Sequence, residues 1–128
     1  RLGNDGSASD NLDLLMAMKV TYIAQNHLHQ RVHAMPAETI LEMASANAAR
    51  ALGWEMGRLA PGQLADFILV DTRRLQLRPL ITHPRSNVVF NLVYYATGAD
   101  VDTVVIDGQV VMEGHNYTGV RAGKVLRK

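Results

Sequence analysis

The chain has no cysteine, so neither a disulfide framework nor a thiolate metal site is open to it; that is compatible with the cytoplasm, the compartment expected, without itself deciding it. Aromatic residues are scarce, at one Trp, four Tyr and two Phe, and no basic groove accompanies them. That argues against a stacking platform for single-stranded nucleic acid. Charge of one sign is also missing: thirteen Lys and Arg against twelve Asp and Glu leave a net charge of +1, too little to recruit nucleic acid or an anionic membrane. No apolar run approaches the roughly 18 residues of a membrane helix, and no basic-then-apolar leader opens the sequence. Phosphate-cradling Gly-rich loops and Ser-His-Asp nucleophile sets are absent as well.

What is present belongs to a globular protein. The 128 residues are 48% apolar and 20% charged, enough for one domain with a real core and a small neutral partner. From Asn11 to Gln25 the pattern predicts a helix, with Asp10 as its cap and Leu15, Met18 and Tyr22 on one face, widened by Leu14 and Ile23. Pro36 is placed as the first residue of a second helix, whose Ile40, Leu41, Ala44, Ala48 and Leu52 form a stripe that Gly53 stops.

Near Trp54 the period changes from helical to strand-like. In GRLAPGQLADFILVD, Pro61 and Gly62 suit the centre of a type II turn, and Ala65 to Asp71 reads as a buried strand because Phe67 to Val70 is continuously apolar. NVVFNLVYYAT, residues 87 to 97, reads as a short helix capped by Ser86 or Asn87 and ended by Gly98, with a strand as the alternative. VDTVVIDGQVVMEG is a hairpin, since Asp107-Gly108 favours a type I′ turn between two β-branched runs.

These blocks also occur in a recognisable order. LGNDGSASDNLDLL, MPAETILEMASANAARALGW, GRLAPGQLADFILVD and VDTVVIDGQVVMEG together resemble the carboxy-terminal part of the amidohydrolase superfamily. The similarity is to its aminohydrolase and chlorohydrolase branch, which includes adenosine-type and S-adenosylhomocysteine or methylthioadenosine deaminases. It runs through residues 1 to 118. The fold class it implies is α/β: the last strand and helices of a (β/α)8 metal-dependent hydrolase barrel with part of the accompanying β-sandwich, α+β as an isolated chain. Residues 1–53 would be the barrel part, 54–118 the β-sandwich segment and 119–128 a basic tail carrying Arg121, Lys124, Arg127 and Lys128.

The resemblance further implies a site. Asp5 matches the Asp at the carboxy end of the eighth barrel strand, the face where such barrels keep their active sites. There it would touch a divalent metal, zinc first and iron second, and shuttle a proton for the hydroxide that metal makes available. The other ligands would come from an early His-x-His and later histidines outside these residues, so no tightly bound metal is expected on this chain alone. Asn4 departs from the Thr usual in the motif. The implied reaction is hydrolytic deamination of an aminopurine or related heterocyclic amine, with the isolated chain inactive and self-association covering its bare apolar faces. The competing reading is a noncatalytic α+β binding or self-assembly domain.

Other residues carry plainer expectations. His27, His29 and His33 in HLHQRVH have metal-like spacing but follow a helix and are read as surface histidines, while His83 and His115 are read as loop residues. Ser7, Ser9 and Asn11 are read as helix caps. Asp66 and Asp107 shape strand entry and turn, and Trp54, Tyr94 and Tyr95 are packing residues.

Overall fold

The computed structural model describes residues 2–4 and 11–119, so Asp5, Ser7, Ser9, Asp10 and the tail from residue 120 lie outside the described residues. Three helices come first: α1 (Leu14–Leu28), α2 (Ala37–Ala44) and α3 (Ala46–Leu52). Strand β1 (Phe67–Val70), a short 3-10 turn (Leu75–Leu77) and α4 (Val88–Tyr94) follow. A second 3-10 turn (Gly98–Asp100) leads into β2 (Val101–Ile106), β3 (Gln109–Glu113) and the two-residue β4 (Asn116–Tyr117). The four strands form one antiparallel sheet in the order β1-β2-β3-β4.

Helix α1 begins three residues later than the pattern predicts. Asp13 is its cap, accepting the N–H groups of Leu15 and Met16 at 2.9 and 3.4 Å, and Asn11 turns its own side chain onto the Asp13 N–H at 2.8 Å. Leu15, Met18 and Tyr22 are buried as expected, whereas Ile23 faces out.

The second predicted helix is two. Pro36, with ψ at 146°, stands just outside α2 as its N-cap rather than inside it, and at Ser45 the backbone leaves helical geometry with φ −127° and ψ −98°. The Ser45 hydroxyl donates to the Leu41 carbonyl at 2.7 Å, a back-bond that competes with the helical ladder. The break rotates the following turn, so Ala46 and Ala49 are buried in place of the Ala48 and Leu52 end of the stripe. Gly53 does stop α3: at φ +72° it sends its N–H to Arg50 while Trp54 reaches the Ala49 carbonyl, a Schellman closure.

Both turn expectations hold. Gln63 N–H bonds the Ala60 carbonyl at 3.2 Å across Pro61 and Gly62, with Gly62 at φ +85°. Asp107 and Gly108 both have positive φ, at +51° and +72°, as a type I′ turn demands. Residues Val88–Tyr94 are helical, so the strand alternative for this stretch falls, and the helix ends at Tyr95 before Gly98 is reached.

One core joins helices and sheet. Leu15, Met18 and Tyr22 of α1 pack with Ile40 of α2, Val93 of α4, Val101 of β2 and Met112 of β3. Ile40 and Val93 are wholly buried, each stabilising by about 1.5 to 3 kcal/mol. Two expectations of burial fail outside this core. Trp54 is exposed, and in β1 Ile68 and Leu69, which project to opposite faces of the sheet, remain 46% and 52% exposed.

Candidate functional site

The segment that carries Asp5 is tethered at both ends of its described flanks. Leu2 N–H donates to the Met43 carbonyl at 3.1 Å, tying the entry to α2. At the exit, Asp13 uses its second carboxylate oxygen to accept Gly98 N–H at 2.7 Å, tying the start of α1 to the turn before β2. Between these anchors, Asn4 Oδ1 is buried and finds no hydrogen-bond partner among the described residues. Asp5 itself lies beyond them.

The histidines are not gathered into a cluster. His27 lies in the last turn of α1 and His29 caps its end, both exposed. His33, in the left-handed region at φ +57°, turns back to Tyr22, whose hydroxyl lies 2.6 Å from Nδ1. His115 sits near Arg74, with 3.3 Å between Nε2 and Nη2, and His83 precedes Pro84 in an exposed loop. Among the described residues no group of three or more His, Cys, Asp or Glu side chains is arranged to hold a metal. The described side chains therefore do not by themselves make a metal centre.

Several polar residues are explained by the fold. Asp66 and Asp107 meet: the Asp107 N–H donates to Asp66 Oδ1 at 2.6 Å, so one carboxylate at the entry of β1 holds the β2–β3 turn. Tyr94 stacks on Phe90 at 5.4 Å, and Tyr22 meets both rings edge-on. Asp100 is the deepest acid, 2% exposed, and accepts from Gln76 Nε2 at 2.6 Å, Thr97 N–H at 2.8 Å and Thr97 Oγ1 at 3.1 Å. Asp71 is held down to about 2, chiefly by side-chain and backbone hydrogen bonds from Arg73, with the charge of Arg73 and Arg74 adding to the effect. The reach of Asp13 to Gly98 and of Asp100 to Gln76 was not legible in the sequence, because these partners lie 85 and 24 residues away, whereas the Asp13 cap and the Thr97–Asp100 capping box are local signals that the reading missed.

An open apolar groove of about 690 Å³ lies between the helices and the sheet. Its walls are Leu15 and Met18 of α1, Leu41 of α2, and Ile68, Val104 and Ile106 of the sheet. Asp13, Arg58 and Asp66 are its charged neighbours, and both acids already accept backbone N–H groups. No described helix is long and apolar enough to cross a membrane.

The chain is helices packed on a four-stranded antiparallel sheet, and its family can be stated. Residues 2–111 match the amidohydrolase family, and the chain belongs to it. It is 43% identical over 112 residues to a 5'-deoxyadenosine deaminase of Methanothermobacter thermautotrophicus, covering 87% of this chain and 25% of that protein. It is 37% identical over 128 residues to a 5-methylthioadenosine/S-adenosylhomocysteine deaminase of Pyrococcus abyssi, covering 99% and 29%. Among solved structures, an adenosine deaminase from Xanthomonas campestris with bound zinc superposes with a TM-score of 0.84 at 27% identity, over 94% of this chain and 27% of that one. An atrazine chlorohydrolase from Arthrobacter aurescens superposes at 0.80 and 23% identity, a likeness of fold alone. The α/β amidohydrolase fold class is thereby shown, and the chain spans a little over a quarter, or less, of the length of the relatives it matches.

Proposed function

We propose that the protein to which these residues belong hydrolytically deaminates an aminopurine nucleoside or a related heterocyclic amine. The observation that carries this reading is the 43% identity to a 5'-deoxyadenosine deaminase across most of the chain. The substrate is a small molecule, in keeping with a net charge of +1 and no basic surface stripe in the sequence. The reaction joins water to the amino-bearing carbon: the C–O bond forms, the C–N bond breaks, and one proton of water ends on the departing nitrogen as ammonia. Asp5 is the proposed carrier of that proton, a carboxylate that accepts it from water and returns it to the leaving group.

Residues 1–53 are proposed as the barrel part, 54–118 as the β-sandwich part and 119–128 as a basic tail. A divalent metal, zinc before iron, belongs to the complete enzyme, with ligands outside the described residues. The complete enzyme is proposed to work in the cytoplasm and to self-associate. The 128 residues by themselves release no ammonia, because one carboxylate cannot hold a metal in an open geometry.

Ammonia release from a panel of aminopurine nucleosides and triazines, measured on the full-length protein, tests the reading. Asp5→Asn keeps the side-chain shape and removes the anionic proton acceptor, so activity on an aminopurine nucleoside drops at least about a hundredfold. His27→Ala and His29→Ala leave it nearly unchanged. Activity that survives Asp5→Asn and collapses with His27→Ala would overturn the assignment.

A further inference from the structure

We infer that the cavity between α4 and the 3-10 turn at Leu75–Leu77 is a small-molecule site of its own, built for an anionic purine of the nucleoside monophosphate class. It has a volume of about 590 Å³, within the roughly 300 to 1,000 Å³ of small-molecule sites, and shares no lining residue with the apolar groove. Its polar lining states what a ligand must carry. No carboxylate lines it, and its one charge is Arg78, exposed and without an ion pair among the described residues. A guanidinium with no counter-ion favours an anion, and its fork of N–H groups matches phosphate oxygens.

Asn91 sets the second requirement. It is 6% exposed, and its Nδ2 donates to the Leu77 and Pro79 carbonyls at 3.0 and 3.3 Å, which uses both amide hydrogens and fixes the way the amide points. Its Oδ1 accepts no hydrogen bond among the described residues and is not sealed from solvent. This buried amide therefore offers the cavity an acceptor, whose complement is an N–H on the ligand. Asn87, one helical turn earlier, has nothing comparable to spare: its Nδ2 donates to the Pro79 carbonyl at 2.9 Å and its Oδ1 accepts the Ile81 N–H at 2.8 Å.

The third requirement is a flat ring. Tyr95 lines the cavity and is 43% exposed, and it meets Phe90 and Tyr94 edge to face, at 79° and 74°, so neither ring stacks on it. An uncovered aromatic ring next to a cation is a platform for a nucleobase, because every base has a π face. An anion, a base N–H and a flat π surface occur together in a purine nucleoside monophosphate. Simple phosphate lacks the second and third, and a neutral nucleoside lacks the first. The inference uses none of the residues proposed for catalysis and stands apart from the deaminase reading.

The test titrates the full-length protein calorimetrically with inosine monophosphate, whose base carries a ring N–H and no amino group left to hydrolyse. Saturable binding is expected. Inosine, which lacks the phosphate, ribose phosphate, which lacks the base, and purine riboside monophosphate, which lacks the base N–H, should each bind at least about tenfold more weakly. Arg78→Gln and Tyr95→Ala should each weaken inosine monophosphate at least about tenfold, the first by removing the charge and the second the ring. Both side chains are exposed, so the fold tolerates their loss, and circular dichroism confirms it. Asn91 is probed through the ligand instead, because its bonds to Leu77 and Pro79 hold the turn to α4. No saturable binding, or binding that ignores both variants, overturns the inference. So does ribose phosphate binding as tightly as inosine monophosphate, since the site would then read an anion alone.

Discussion

The Asp13 carboxylate joins two parts of the chain 85 residues apart, with Oδ2 accepting Gly98 N–H at 2.7 Å while Oδ1 accepts Leu15 N–H at 2.9 Å. One side chain thereby caps the first helix and fixes it to the turn that launches β2. Removing it should cost more than an ordinary cap. Asp13→Ala is expected to destabilise by about 1 to 2 kcal/mol, the upper part of the capping range, and Asp13→Asn to recover only part of that, because its one amide oxygen keeps either the cap or the Gly98 bond while its NH2 faces the other N–H. Urea titration of the three proteins measures this. An Ala variant that unfolds at the wild-type midpoint would show that the bridge to Gly98 contributes nothing.

Gly57 and Gly62 separate backbone conformation from close approach. Both have strongly positive φ, at +88° and +85°, so an alanine at either is strained. A Cβ on Gly62 would meet open space, whereas one on Gly57 would come within 2.9 Å of the Ser45 and Ala46 backbone, where α2 breaks into α3. Gly62→Ala should cost about 1 kcal/mol, and Gly57→Ala at least about 2 kcal/mol more because backbone cannot step aside. Thermal unfolding of both variants checks the difference, and equal losses would refute it.

Asp100 is a buried acceptor with three donors, one from Gln76 and two from Thr97. Truncation to Ala strands those donors, so Asp100→Ala should lose about 2 to 3 kcal/mol, whereas Gln76→Ala, which leaves the Thr97 bonds in place, should lose about 1 to 2. Denaturant unfolding of both gives the ratio. A Gln76 variant as unstable as the Asp100 variant would put the anchor on the wrong residue.

Acid should act partly through Asp71. Its folded pKa lies near 2, below the ordinary 3.8, because Arg73 hydrogen-bonds the carboxylate. A depressed carboxyl stabilises the fold above its unfolded pKa, and that contribution is lost as pH falls from about 4 through about 2. Asp71→Asn should therefore flatten the fall in stability across that window and leave the rest of the pH profile unchanged. Stability measured from pH 5 to pH 2 in both proteins decides it, with identical slopes counting against the role.

Family and turns were legible in the sequence because both are written locally. Asp107-Gly108 and Pro61-Gly62 form the turns their sterics favour, and Gly53 ends a helix because glycine enters the left-handed region at little cost. The ordered motifs around them sufficed to point to the amidohydrolase family, which the match over residues 2–111 establishes. Asp5, the candidate site residue, rests on that resemblance, since it lies outside the described residues.

Elsewhere the tertiary structure departed from the local reading. Asp10 reads as the cap of the first helix, yet the helix starts at Leu14 with Asp13 as its cap, whose second oxygen reaches Gly98. The alanine-rich stripe from Ile40 to Leu52 reads as one helix, yet it breaks at Ser45, against which Gly57 packs without room for a side chain. The apolar run of β1 reads as buried because periodicity records the nature of a residue and not what lies against it. Its exposure in this chain follows from what packs on its two faces, a nonlocal fact that no window of sequence contains.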